Sequence, residues 1–95
     1  MMWESLDTIG TAGSEEGIIQ RDEEYRNACR ITLERCSDRW AITCGVYGAM
    51  VHTVYCGENR EAVYDAMKRD LQAFIDKVTT SEEEYAFYQE FVTKY

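Results

Sequence analysis

The sequence predicts an α+β fold: an antiparallel β-meander of three or four strands followed by two C-terminal α-helices. Three observations predict it. Residues 28–56 divide into the extended runs ACRITLERC, RWAITCGVY and MVHTVYC, separated by the turn candidates Ser37-Asp38 and Gly48-Ala49. Residues 59–78 carry apolar side chains at helical spacing. Residues 81–94 do so again, behind a capping signature.

At the N-terminus, Trp3, Leu6 and Ile9 stand at helical spacing and predict a short N-terminal helix or an apolar anchor. Residues 10–17, GTAGSEEG, read as a flexible loop by composition. Residues 1–17 are thus an anchor and loop on a single domain spanning 1–95. Ile18-Ile19, followed by QRDEEY, is the candidate first strand, and Tyr25-Arg26-Asn27 would join it to the meander.

The two turns set the register of the meander. A two-residue turn at Ser37-Asp38 places Leu33 opposite Ile42, Ile31 opposite Cys44 and Cys29 opposite Val46. A two-residue turn at Gly48-Ala49, with Gly at the position where a type II′ turn needs positive φ, places Val46 opposite Val51, Cys44 opposite Thr53 and Ile42 opposite Tyr55. Because side chains alternate between faces, Cys29, Ile31, Leu33, Ile42, Cys44, Val46, Val51, Thr53 and Tyr55 then share one core face. The second face would carry Arg30, Thr32 and Glu34, and also the half-apolar row Met50, His52, Val54 and Cys56.

Asn59 is the N-cap candidate of the first helix. Val63, Met67, Leu71, Phe74, Ile75 and Val78 form its apolar stripe, which fits the core face of the sheet. Thr80 with Glu83, or Ser81 with Glu84, predicts a capping box for the second helix. Its stripe of Tyr85, Tyr88, Phe91, Val92 and Tyr95 would cover the second face of the sheet or reach a partner.

The chain has 10 basic and 18 acidic residues, a net charge of −8. Residues 1–26 carry −5 and residues 81–95 carry −3, while the body between them is neutral. Nucleic acids and anionic membranes both require a basic footprint, so neither is an expected partner. An acidic inhibitor or immunity-type protein acting on a basic protein partner fits the charge. The first residues lack the basic start and apolar run of a signal peptide. With four cysteines and no membrane-length apolar run, a cytoplasmic protein with reduced thiols is expected.

The cysteines, at 29, 36, 44 and 56, form no C-x-x-C, and with one histidine they match no zinc pattern. In the expected register Cys29 and Cys44 are diagonal neighbours about 7–8 Å apart. Cys36 and Cys56 are separated by about 9–10 Å. Neither pair suits a disulfide. No cofactor motif and no catalytic constellation is present.

Two residues invite a chemical reading. Cys56 precedes a helix N-terminus, which favours thiolate. His52 faces Gly45 in the expected register, leaving a gap flanked by Tyr47 and Met50 where a small molecule could bind. The ligand-site candidates are therefore His52, Cys56, Tyr47, Gly45 and Met50. The leading functional expectation is a non-catalytic interaction or regulatory module that forms a homodimer through the half-apolar face. A small-molecule binding protein or thiol enzyme at His52 and Cys56 is the alternative.

Overall fold

The computed structural model describes residues 2–77 and 79–95. Five strands, β1 (Glu4–Ser5), β2 (Ile18–Tyr25), β3 (Cys29–Arg35), β4 (Trp40–Val46) and β5 (Met50–Cys56), form one antiparallel sheet in sequence order. Helices α1 (Arg60–Asp76) and α2 (Ser81–Lys94) follow. The α+β class and both C-terminal helices are as the sequence predicts; the strand count is five. No described helix is long and apolar enough to cross a membrane.

The added strand is β1. The expected N-terminal helix does not form, because its main-chain groups are turned toward β2: Glu4 pairs with Glu24, and the Leu6 N–H donates to the Asp22 carbonyl at 2.8 Å. Trp3 stacks on Tyr25 with ring centroids 5.1 Å apart and donates to Gln72 Oε1 at 2.9 Å. A β-bulge between Ile19 and Arg21 reverses the alternation within β2. It sends Ile19 to the face opposite the helices, while Arg21, Glu23 and Tyr25 lie under α1.

The β3–β4 register is the expected one, with Leu33 opposite Ile42, Ile31 opposite Cys44 and Cys29 opposite Val46. The Cys36 N–H donates to the Arg39 carbonyl at 2.8 Å and closes the Ser37-Asp38 turn. The β4–β5 register is shifted by one residue from expectation. Val46 pairs with Met50, Cys44 with His52 and Ile42 with Val54.

The cause is the second turn. The Ala49 N–H bonds to the Val46 carbonyl at 3.0 Å, and Gly48, with φ +75°, is its second central residue. Positive φ at that position is the type II requirement, not the type II′ one. Three residues, Tyr47, Gly48 and Ala49, therefore separate the paired strands. Every β5 side chain changes face as a result. Met50, His52, Val54 and Cys56 lie on the helix face. Val51, Thr53 and Tyr55, expected in the core, lie on the opposite face, where Val51 is 79% and Tyr55 47% exposed.

The core is Cys29, Ile31, Leu33, Ile42 and Cys44 of the sheet against Tyr64, Met67 and Leu71 of α1 and Phe91 of α2. Val63 and Ile75 of the expected α1 stripe are only partly buried, and Val78 lies outside the described residues. Tyr64, outside that stripe, is fully buried and donates to Glu23 Oε1 at 2.8 Å. Charged side chains seal the seam between α1 and β2. Lys68 meets Glu23 at 2.7 Å, and Arg21 lies 4.0 Å over the Tyr64 ring and 2.9 Å from Glu61.

Asn59 sits at the α1 N-cap but makes no side-chain cap bond. The capping box of α2 is Thr80 with Glu83. This helix lies on the same sheet face as α1, not on the second face. Its inward row is Phe87, Phe91 and Tyr95, with Phe87 stacked on Phe74 at 4.1 Å and Phe91 edge-on to His52 at 6.2 Å. Tyr85 and Val92 of the expected stripe are exposed.

The two hairpins can be tested separately. Ile42→Ala, at a fully buried position, should cost about 2–5 kcal/mol as a large-to-small core change. Val51→Ala should change stability by no more than about 0.5 kcal/mol, as exposed substitutions do. Urea denaturation of both variants measures the difference. Equal losses would restore the two-residue turn and put Val51 back in the core.

Candidate functional site

With both helices on one face, the other face of the sheet is left to the N-terminal segment. That segment crosses β2 and is fixed to it by main-chain bonds from Gly10 N–H to the Ile19 carbonyl and from Ile19 N–H to the Thr11 carbonyl, both at 2.9 Å. Its far end is held by a buried carboxylate. Glu34 Oε1 accepts from the N–H groups of Glu15 and Gly17 at 3.1 Å each. Gly13 permits this approach, since a Cβ there would lie 2.3 Å from the Glu34 carboxyl group. The glycine-rich loop is thus pinned over Glu34.

A second buried carboxylate, Asp22, holds the near end. Its side chain is closed to solvent and accepts from Arg30 Nε at 2.9 Å, Arg30 Nη2 at 2.5 Å, Thr32 Oγ1 at 2.9 Å and Thr8 Oγ1 at 2.5 Å. Burial by itself would raise the Asp22 pKa. The hydrogen bonds from Arg30, Thr8 and Thr32 outweigh burial and hold the carboxyl below its ordinary range.

Between this segment and the β4–β5 hairpin lies a groove of about 740 Å³, within the range of small-molecule sites. Its floor is Arg30, Thr32, Thr43 and Gly45; Thr8, Thr11 and Ala12 form one wall and Tyr47 to Val51 the other.

The one-residue shift divides the expected ligand site between two faces. Gly45 and Tyr47 line the groove, and Met50 borders it at the end of the hairpin. His52 and Cys56 lie on the helix face. His52 pairs with Cys44, not with Gly45, so the expected gap beside His52 does not form. Its Nε2 is buried with no hydrogen-bond partner among the described residues.

Cys56 pairs with Trp40, and Arg60 stacks over that indole at 3.9 Å. Burial pushes the Cys56 thiol up, and the nearby Arg60 offsets this only in part. Burial likewise raises Cys29 to about 11 and Cys44 to about 12. Cys36 is raised too, by burial and by Glu34. All four cysteines are free thiols held in the protonated form at neutral pH. Among the described residues no group of three or more His, Cys, Asp or Glu side chains is placed to hold a metal ion.

The sheet also has one open edge. Hydrogen bonds from Cys36 N–H to the Arg39 carbonyl and from Tyr47 N–H to the Ala28 carbonyl fix which β4 residues bond to β3. Antiparallel ladders alternate bonded and non-bonded pairs. Trp40, Ile42, Cys44 and Val46 must therefore bond to β5 through Cys56, Val54, His52 and Met50. The N–H and C=O groups of Val51, Thr53 and Tyr55 then face outward, with no main-chain partner among the described residues. The opposite edge is β1, only two residues long.

No protein-family model matches the chain, and no curated protein or solved structure matches it either.

Arg30→Leu tests the Asp22 network. Removing one partner of a buried pair costs about 3–5 kcal/mol. The Arg30 side chain is 42% exposed, so solvent can partly replace it, and about 2–4 kcal/mol is expected. In the intact protein the lowered Asp22 pKa contributes stability above about pH 4, and that stability is lost as pH falls through the folded value. Without Arg30 the burial effect gains weight, and the acid loss should begin at higher pH. Denaturant midpoints between pH 3 and 7 measure this, and an unchanged acid limb would show that Arg30 does not stabilise the carboxylate.

Proposed function

We propose that the protein is a non-catalytic interaction module that works as a homodimer, joined edge to edge through β5. The observation that carries this reading is the β5 edge. Seven residues, MVHTVYC, present the outward main-chain groups of Val51, Thr53 and Tyr55 with no charge and no proline among them. Natural sheet edges are normally protected by charge, proline, bulges or brevity. The β1 edge is protected by brevity, and β5 has none of these devices.

A second copy meets the requirements of this edge. Antiparallel pairing about a twofold axis at Thr53 places Val51 opposite the second copy's Tyr55 and His52 opposite its Val54. The outward groups of each strand then bond to those of the other. β5 itself carries no charged side chain, and at Tyr55 the Glu15 carboxylate that accepts from its hydroxyl is matched by Arg39 over its ring, so no unbalanced like charges meet across the paired strands. Because β1 is too short to pair in the same way, association stops at two copies and does not continue into a fibre. The apolar row Met50, His52, Val54 and Cys56, covered in part by α2, continues across the axis. Four free thiols suit a reducing compartment such as the cytoplasm.

Light scattering at micromolar concentration should give twice the chain mass of 11.1 kDa. Thr53→Pro is the discriminating variant. It deletes one outward N–H and leaves the β4 bonds in place, which edge strands tolerate. It should stay folded by circular dichroism and fall to monomer mass. A concentration-independent monomer for the unmodified chain, or a folded Thr53→Pro dimer, would overturn the proposal.

A further inference from the structure

We infer that the groove on the open face is a binding site for a neutral small molecule that carries a carbonyl-type acceptor. The groove lies over β3 and β4, and its rim reaches β5 at Met50 and Val51; the inference does not rest on the dimer.

The donors of the groove define the ligand. The hydroxyls of Thr8 and Thr32 are spent on Asp22, that of Thr11 donates to the Thr8 carbonyl at 2.6 Å, and Thr43 bonds to Thr53 at 3.1 Å. Arg30 is different. Its Nε and Nη2 are both engaged by Asp22, while its Nη1 donates to no acceptor among the described residues. The Arg30 side chain is 42% exposed on the groove floor, so this nitrogen offers hydrogen bonds that a ligand can accept; the Ser14 hydroxyl at the rim is a second donor without an acceptor among the described residues.

The charge balance selects a neutral acceptor over an anion. The Arg30 charge is already matched by Asp22 in a bidentate pair. Glu24 stands beside it, holding the Tyr47 hydroxyl. An anion entering here gains the Arg30 donor but meets two carboxylates at close range. A ketone, amide or lactone oxygen takes the same donor without that repulsion.

The β4–β5 hairpin closes one side of the floor. Gly45 stands between its cross-strand neighbours Arg30 and Val51. The Arg30 side chain is drawn to Asp22 on β2, and the space above Gly45 is taken by the Met50 carbonyl and the Val51 side chain, which a Cβ there would meet at 2.9 and 3.5 Å. The apolar parts of Ala12, Ile19 and Val51 line the groove and suit the apolar body of such a ligand.

Acetophenone, a neutral ketone with an apolar body, is a suitable probe, with toluene as the analogue that lacks the acceptor. Both are titrated into ¹⁵N-labelled protein. Saturable shifts confined to Arg30, Thr32, Thr43, Gly45 and Tyr47 are expected. One hydrogen bond predicts about five- to tenfold weaker binding of toluene. Arg30→Lys keeps a cation beside Asp22 but removes the free guanidinium donor. It should bind both probes alike, at the level of toluene on the unmodified protein. Absence of saturable binding, shifts centred on the helix face, or equal affinity of the unmodified protein for the two probes would each overturn the inference.

Discussion

The Asp22 carboxylate joins three parts of the chain that local sequence does not connect. It is buried on the middle of β2 and accepts four hydrogen bonds: two from Arg30, one from Thr32 and one from Thr8. Arg30 and Thr32 tie it to β3, and Thr8 ties it to the N-terminal segment. An isolated buried carboxylate is strongly unfavourable, so these partners must arrive together with it. Much of the open face follows from this one group. The N-terminal segment stays on the sheet, Arg30 is drawn away from Gly45, and the groove between them stays open. Glu34 repeats the arrangement further along the same segment with main-chain donors in place of a cation.

Neither carboxylate was legible as buried in the sequence. Arg30, Thr32 and Glu34 read as the polar part of the second face, because alternation reports which residues share a face and not what covers that face. The signal that existed was in the loop. Two of the glycines in GTAGSEEG sit where a side chain would collide with neighbouring groups: Gly13 with the Glu34 carboxyl, and Gly17 with the Arg35 carbonyl and the Cys36 sulfur. Their positions have a packing cause, but only once β3 is in place beneath them.

The two hairpins show where local reasoning succeeds and where it fails. Ser37-Asp38 has no glycine, and neither residue takes positive φ; the pairing of apolar residues across it was enough to set the β3–β4 register. Gly48 was the stronger turn signal and gave the wrong register. Positive φ is required at the first central position of a type II′ turn and at the second of a type II turn, and one glycine serves either. Apolar alternation could not decide between them, because β5 offers Val51 and Tyr55 on one face and Met50, Val54 and Cys56 on the other. Tertiary contacts decide. Phe91 of α2 meets His52, and the faces of β5 follow. The same cause hid the roles of Tyr64 and Phe87, whose burial depends on where α1 and α2 cross the sheet.

The corrected register also changes what the free surface is for. With Met50, His52, Val54 and Cys56 under the helices, the sheet no longer presents a broad apolar face, and burial of such a face cannot drive association. What remains is the β5 main chain. Its outward groups are solvated in a monomer, so pairing them adds little net energy per bond, about 0.5–1.5 kcal/mol. Several bonds formed together with the contact of Val51 and Tyr55 across the axis can offset the loss of translational freedom, which is itself several kcal/mol. The balance points to a dimer of moderate affinity, in which edge geometry and the absence of charge set the partner and buried area contributes less. The helices cover one face, the N-terminal segment covers part of the other, the β1 edge is only two residues long, and among the described strands β5 presents the long unpaired edge.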